Sequence, residues 1–502
     1  MRKAGILMPI SSLPSPYGIG TLGTAAREFA DFLARGGQSC WQILPVGPTS
    51  YGDSPYQSFS SFAGNPYFID LDTLAEWDLL APEEYRTLNW GRDPGRVDYE
   101  ALYKNRFGVL RLACSRLSQE DLIQLSGALW KEDWLEDYAL FMALKDLYNG
   151  APWLEWPEEL RLRHPAALER AREKLAGEID FWKRVQFLFF TQWQSLKDYA
   201  HQRGVSIIGD LPIYASADSA DVWSHPEQFQ LDATGRPTEV AGCPPDGFSA
   251  DGQLWGNPLF DWETMKADGY SWWTRRIAAQ FRLYDTLRID HFRGFDEYYA
   301  IPAGDATARN GRWRPGPGIS FFQAVEAALG PRDIIAEDLG FLTSSVQVLL
   351  AQTGYPGMKV LEFAFDSRDT GGGYLPHCYT PHCVAYTGTH DNDTIQGWMA
   401  SAPAEDVALA KAYLRLNEEE GWHWGMMRSA WASVADLAVM QFQDLLGLGS
   451  EGRMNTPSTL GENWRWRALP GAFSPKLAER LHREMEIYQR LPLPCVQRPG
   501  QG

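Results

Sequence analysis

Three short strings hold the residue types best suited to chemistry: Leu287-Arg-Ile-Asp-His-Phe-Arg-Gly294, Ile334-Ile-Ala-Glu-Asp-Leu-Gly340 and Tyr386-Thr-Gly-Thr-His-Asp-Asn-Asp393. Each is a brief apolar run ending in carboxylates beside Arg or His. Side chains alternate along a strand, so Arg288 and Asp290 project to the same side. The guanidinium favours the ionised carboxylate, and an ionised Asp at the end of a buried strand suits a nucleophile. Glu337 follows Ile334, Ile335 and Ala336. A Glu on apolar support can stay protonated near neutral pH, as a general acid must. Asp391, beside His390, is a third carboxylate able to hold the hydroxyls of a distorted sugar ring. One such group is more often a rim salt bridge, but three strings of this kind point to a site. Together they are the equipment for breaking a glycosidic bond. If neighbouring strands carry Asp290 and Glu337, a carboxyl separation of about 5–5.5 Å predicts a covalent glycosyl-enzyme intermediate and retention of configuration.

Elements that deliver carboxylates to one face recur along the chain. Eight strand-like runs begin near Gly5, Cys40, Val205, Thr286, Asp333, Met358, Cys383 and Leu437, each ending in a polar or Gly-rich loop. Eight strand–helix units in order predict an α/β fold: a (β/α)8 TIM barrel spanning 1–502, with chemistry at the C-terminal ends of its strands. From the fourth run onward the units are compact enough for one helix each. The second and third runs are separated by about 160 residues, far more than the crossover that parallel strands need. That stretch shows helical periodicity at Trp134, Tyr138, Phe141, Leu144 and Tyr148, and again at Phe181, Val185, Leu188 and Leu196. Residues 60–180 are therefore expected to form a mainly α-helical insertion. A second insertion, 215–280, carries the Gly/Pro-rich stretch 241–258, which is expected to lack regular structure and to act as an aromatic lid.

Composition narrows the partners. A net charge of −18 disfavours nucleic acid and anionic membranes, which such a surface repels, and fits a neutral substrate. The chain holds 21 Trp and 21 Tyr, whose rings can stack on sugar C–H faces, although most are expected to pack in the core. No apolar run approaches the ~20 residues that span a bilayer. The six cysteines at 40, 114, 243, 378, 383 and 495 are scattered, and Met1-Arg-Lys-Ala-Gly-Ile-Leu-Met-Pro9 has no sustained apolar segment. The expected compartment is the cytoplasm, with free thiols.

Longer strings carry a resemblance. Ser11-Ser-Leu-Pro-Ser-Pro-Tyr-Gly-Ile-Gly20, Tyr51-Gly-Asp-Ser-Pro-Tyr-Gln-Ser58, the segment from Pro244-Pro-Asp to Trp255-Gly-Asn-Pro258, and Asn463-Trp-Arg-Trp-Arg467 occur in order with the three strings above. In this the chain resembles the 4-α-glucanotransferases of the amylomaltase, or disproportionating enzyme, family over nearly its whole length. The resemblance implies Asp290 as nucleophile, Glu337 as acid/base and Asp391 as transition-state stabiliser. It also implies a sugar site lined by Ser54, Tyr56, Asp210, Arg288, His291 and His390, with Phe248 and Trp255 in the lid and Asn463 closing the acceptor side. Ser458 stands where Gly is common in that pattern, and Gly247 where an aromatic sometimes stands; both bear on acceptor preference.

The activity so implied is transfer of an α-1,4-glucan segment to the 4-hydroxyl of an acceptor sugar, with maltooligosaccharides, amylose and glucose as donors and acceptors. The alternatives are an α-glucan hydrolase on the same barrel and a glucan-binding protein that has lost catalysis. No cofactor is called for. The pair His377-Cys378 and His382-Cys383 offers soft metal ligands, but its spacing departs from the usual zinc patterns, and no metal is expected.

Overall fold

The computed structural model describes residues 2–125, 132–245, 250–340, 342–367 and 372–492. Phe248 and Gly247 lie outside the described residues.

Twelve strands occur among them: β1 Lys3–Leu7, β2 Cys40–Gln42, β3 Ser206–Leu211, β4 Glu239–Cys243, β5 Gln253–Pro258, β6 Thr286–Ile289, β7 Glu297–Pro302, β8 Arg312–Pro315, β9 Ile334–Ala336, β10 Gly357–Val360, β11 Cys383–Tyr386 and β12 Leu437–Gln441. Eight of them form one parallel sheet in the order β10-β11-β12-β1-β2-β3-β6-β9. These are the eight apolar runs expected from the sequence. The two sheet ends meet where the Ala336 amide donates to the Pro356 carbonyl at 3.0 Å, so the sheet is nearly closed into a barrel. Strands buried on both faces must be apolar throughout: β11 is buried at every position, and β1 at all but Lys3.

Register fixes which strand ends stand side by side. Asp210 of β3 pairs with Arg288 of β6, and Ile289 of β6 pairs with Ala336 of β9. Asp290 and Glu337 are the next residues beyond that last pair. Gly209 is required one step before Asp210, because a Cβ there would lie 2.0 Å from the Tyr284 ring that packs against β3.

Helices run between β2 and β3, among them Tyr99–Arg116, Asp133–Leu147 and Ala176–Gln202. The last, 27 residues long, spans about 40 Å, packs on the helices Thr24–Arg35 and Asp133–Leu147, and buries Phe181, Val185, Phe189, Trp193 and Leu196. Thr24–Arg35 buries Ala26, Phe29, Ala30 and Leu33, the spacing of one helical face.

The stretch after β3 departs from expectation. Instead of an irregular loop over 241–258, β4 and β5 pair as an antiparallel hairpin and join β7 and β8 in a second, four-stranded sheet. The unit after β6 accordingly holds two strands ahead of its helix, Ile319–Leu329. Gly242 and Pro258, which argue against regular structure in the sequence, sit where a ladder tolerates them. A Cβ on Gly242 would lie 2.1 Å from the Gln253 carbonyl oxygen, so Gly permits the close pairing, and Pro258 closes the strand. Among the described residues no helix is long and apolar enough to cross a membrane. Cys40, Cys114, Cys378 and Cys383 are free thiols.

Candidate active site

The strand ends of β3, β6 and β9 converge on one cation. Arg288 Nη1 donates to both carboxylate oxygens of Asp210, at 2.7 Å each, and to Asp290 Oδ1 at 3.0 Å. The Arg288 and Asp210 side chains are 4% and 0% exposed, whereas Asp290 keeps 30% of its side chain open to the cleft. Burial acts to lower the basicity of Arg288, but the charges of Asp210 and Asp290 outweigh it and hold the guanidinium well above its ordinary range. Asp290 is thus oriented by a permanent cation through one oxygen.

Glu337, one rung along, has a different environment. Its Oε2 accepts the His291 amide at 2.7 Å and its Oε1 the Leu339 amide at 2.8 Å. Both bonds favour the carboxylate, as does Arg288. Burial, with the nearby charge of Asp290, opposes them and raises Glu337 to about 7. The His291 amide reaches Glu337 because His291 adopts φ +50°, a left-handed conformation that costs about 1–3 kcal/mol in a non-glycine residue and clusters at functional sites. Burial of the His291 ring lowers its pKa to about 4, so the imidazole is neutral at pH 7. Its Nε2 is buried with no hydrogen-bond partner, and the edge of the ring meets Trp255 at 5.0 Å between centroids.

The loop after β11 brings the third carboxylate from across the barrel mouth. Asp391 Oδ2 lies 3.4 Å from Nε2 of buried His390, and its side chain is 46% exposed. The His390 ring stacks on Tyr56 at 5.1 Å between centroids and 18° between planes, and the Tyr56 hydroxyl donates to Asp210 Oδ2 at 2.9 Å. Tyr56 therefore ties the Asp391 loop to the Asp210–Arg288 pair. Burial raises its phenol far above the usual value, and the charge of Asp210 adds to this, so it remains a donor.

Ser54 accepts the Tyr56 amide at 3.2 Å and shapes the turn that presents Tyr56. Trp255, on β5, is half-buried beside Tyr214 and His291. The side chain of Asn463 is engaged within its own loop: Oδ1 accepts the Thr456 amide at 3.0 Å, and Nδ2 donates to the Thr459 carbonyl at 2.9 Å. Ser458, in that loop, has φ +64°, the region that glycine favours. His377 meets the Tyr413 hydroxyl and His382 the Gly354 carbonyl, so these two histidines turn to separate partners.

Sequence reasoning missed two neighbours of the site. Trp464 lies within 5.9 Å of the His390 ring and 5.8 Å of the Tyr56 ring, and Asn455 donates to Asp391. Trp464 lies in a string that carries the family resemblance, and Asn455 opens the segment containing Ser458. Nothing in the sequence marks the contact of Asn455 with Asp391, 64 residues away.

Comparison with known proteins decides the family. The profile of glycoside hydrolase family 77, described as 4-alpha-glucanotransferase, matches residues 8–471. The chain belongs to the 4-alpha-glucanotransferase family. The 4-alpha-glucanotransferase of Clostridium butyricum is 48% identical over 488 residues, covering 96% of this chain and 100% of the relative. That of Thermus thermophilus is also 48% identical, covering 98% and 99%. Among solved structures, amylomaltase from Streptococcus agalactiae in complex with acarbose superposes with a TM-score of 0.96 at 41% identity, covering 98% of this chain and 100% of that one. The chain is thus a retaining glycoside-hydrolase-type transferase that moves α-1,4-glucan segments to acceptor sugars.

Proposed function

We propose that Asp290, Glu337 and Asp391 divide this transfer among them. Asp290 attacks the anomeric carbon of the donor glucan while Glu337, protonated, delivers its proton to the departing 4-oxygen. The glycosyl-Asp290 ester forms and the reducing-end fragment leaves. An acceptor 4-hydroxyl then gives its proton back to the Glu337 carboxylate and attacks the same carbon, releasing Asp290. Two inversions give retention. Asp391 holds the hydroxyls of the distorted ring, and Ser54, Tyr56, Asp210, Arg288, His291 and His390 line or brace that sugar. The observation that carries the assignment is the contrast between two adjacent carboxylates: Asp290 on a permanent cation, Glu337 raised to about 7. Parallel strands about 4.8 Å apart bring them within the spacing expected of retaining enzymes.

In this reading residues 60–180 form a helical insertion, and 215–280 a second one whose 241–258 segment, with Trp255, covers the cleft. Excluding water favours attack by a sugar. The donors and acceptors are maltooligosaccharides, amylose and glucose, with Asn463 bordering the acceptor side, and the enzyme works in the cytoplasm without cofactor or metal. Acarbose, bound by the Streptococcus agalactiae relative, is expected to bind here too.

Incubation with maltotriose tests the transfer reading: glucose plus a ladder of longer maltodextrins is expected, and glucose and maltose alone would indicate a hydrolase. Trp255→Ala should raise hydrolysis relative to transfer in the same assay; an unchanged product ratio would remove Trp255 from the lid. A pH profile tests Glu337. The proton it donates is bound below about 7, so kcat/KM should fall as pH rises through that value. An alkaline limb that survives in Glu337→Gln would assign it to another group.

A further inference from the structure

We propose that Asn455 and Arg453 are positioning residues for the transfer reaction, clamping Asp391 from the segment that follows β12. The inference rests on Asp391 being the carboxylate that stabilises the transition state. That carboxylate stands on a loop, and a loop Asp with 46% of its side chain exposed must be held if it is to meet a sugar in one orientation. Asn455 holds it. Its Nδ2 donates to Asp391 Oδ1 at 2.6 Å, while its main-chain amide donates to the His390 carbonyl at 3.1 Å. Arg453 closes the clamp: Nη2 donates to the Asp391 carbonyl at 2.8 Å, and Nε to the Asn455 carbonyl at 2.8 Å. Its Nη1 also lies 3.9 Å from Asp393 Oδ2.

The chemistry of the two residues suits different tasks. Arg453 grips main chain, where a planar fork can satisfy two carbonyls at once. Asn455 grips the side chain with a neutral amide. A Lys or Arg there would neutralise the carboxylate, and an Asp would repel it; an amide orients one oxygen and leaves the charge for the ring. Asn455 is buried, so its bond to Asp391 is shielded from competing water. The same strip continues into the turn pinned by Asn463, and the Trp464 amide returns to the Met454 carbonyl at 2.8 Å. The clamp thereby joins the transition-state carboxylate to the segment bordering the acceptor side.

Maltotriose disproportionation by wild type, Asn455→Ala, Asn455→Asp, Arg453→Ala, Asp391→Ala and the Asp391→Ala/Asn455→Ala double variant tests the proposal, with circular dichroism as the check on folding. Asn455→Ala should lower kcat by about 10²-fold, the scale of a misplaced catalytic group, with KM within about threefold of wild type. Asn455→Asp, equal in volume but without the donor, should lose at least as much, and it carries the test if the alanine variant does not fold. Arg453→Ala should lower kcat by about tenfold or more. In the Asp391→Ala background Asn455→Ala should add less than about twofold, because the two act as one unit. Fully multiplicative losses, or Asn455→Asp with wild-type kcat, would overturn the clamp, and an unchanged kcat in Arg453→Ala would remove that arm. Near-normal activity in Asp391→Ala alone would instead overturn the role given to Asp391.

Discussion

Asp290→Asn and Glu337→Gln should each lower turnover on maltotriose by about a thousandfold or more, with the fold intact. The size follows from what each variant removes. Asn has the volume of Asp but no charge to attack with, and the buried Asp210 remains to hold Arg288 in place. Gln can still accept the Leu339 amide, but it has no proton to give to a leaving oxygen. At about 1.4 kcal/mol per factor of ten, a thousandfold loss is about 4 kcal/mol of transition-state stabilisation, within what a nucleophile or general acid supplies. The two variants should differ on a substrate whose leaving group needs no proton. There Glu337→Gln should recover formation of the intermediate, and Asp290→Asn should not. Near-normal turnover by either on maltotriose would refute the assigned roles.

Arg288→Met should have the largest effect on stability. It removes the cation from between two carboxylates and leaves Asp210, with 0% of its side chain exposed, without its ion-pair partner. Breaking one arm of a buried ion pair costs about 3–5 kcal/mol, more than the pair gains over apolar packing, because the remaining charge stays desolvated. Urea unfolding at pH 7 reads that loss. The sign with pH is fixed: burial raises Asp210, and a protonated Asp210 needs no counter-ion. The deficit should therefore shrink as pH falls toward the usual carboxylate range and be complete at neutral pH. Adding Asp210→Asn should restore part of the stability without restoring activity. An Arg288→Met protein within about 1 kcal/mol of wild type at pH 7 would contradict this account of the cluster.

The barrel was legible because its strands are buried on both faces. Each reads as a short, mostly apolar run, and the residue that follows the run is brought to the open end. Asp290 and Glu337 therefore stand out as strand-end candidates without knowledge of which strands pair. The second sheet was not legible. β4 depends on β7 and β5 for its hydrogen bonds, and its own composition, with Gly242 and Cys243 leading to Pro244 and Pro245, favours a loop until those partners are present. Within the site, Asp210 is 78 residues from Arg288, and Asn455 is 64 from Asp391. No local pattern marks such contacts. The resemblance implies that Tyr56 meets the sugar; its partners within the protein, the ring of His390 and the carboxylate of Asp210, are not marked in the sequence. Tyr56 braces two sides of the cleft.

The most direct test of the central claim is peptide mass spectrometry of Glu337→Gln after brief exposure to α-glucosyl fluoride. Fluoride leaves without a proton, so the first displacement proceeds, and the second stalls because no carboxylate is left to activate the acceptor. The account predicts one glucosyl residue esterified to the peptide containing Asp290, and none in the Asp290→Asn/Glu337→Gln double variant. A glucosyl group on any other residue, or an adduct that survives loss of the Asp290 carboxylate, would contradict it.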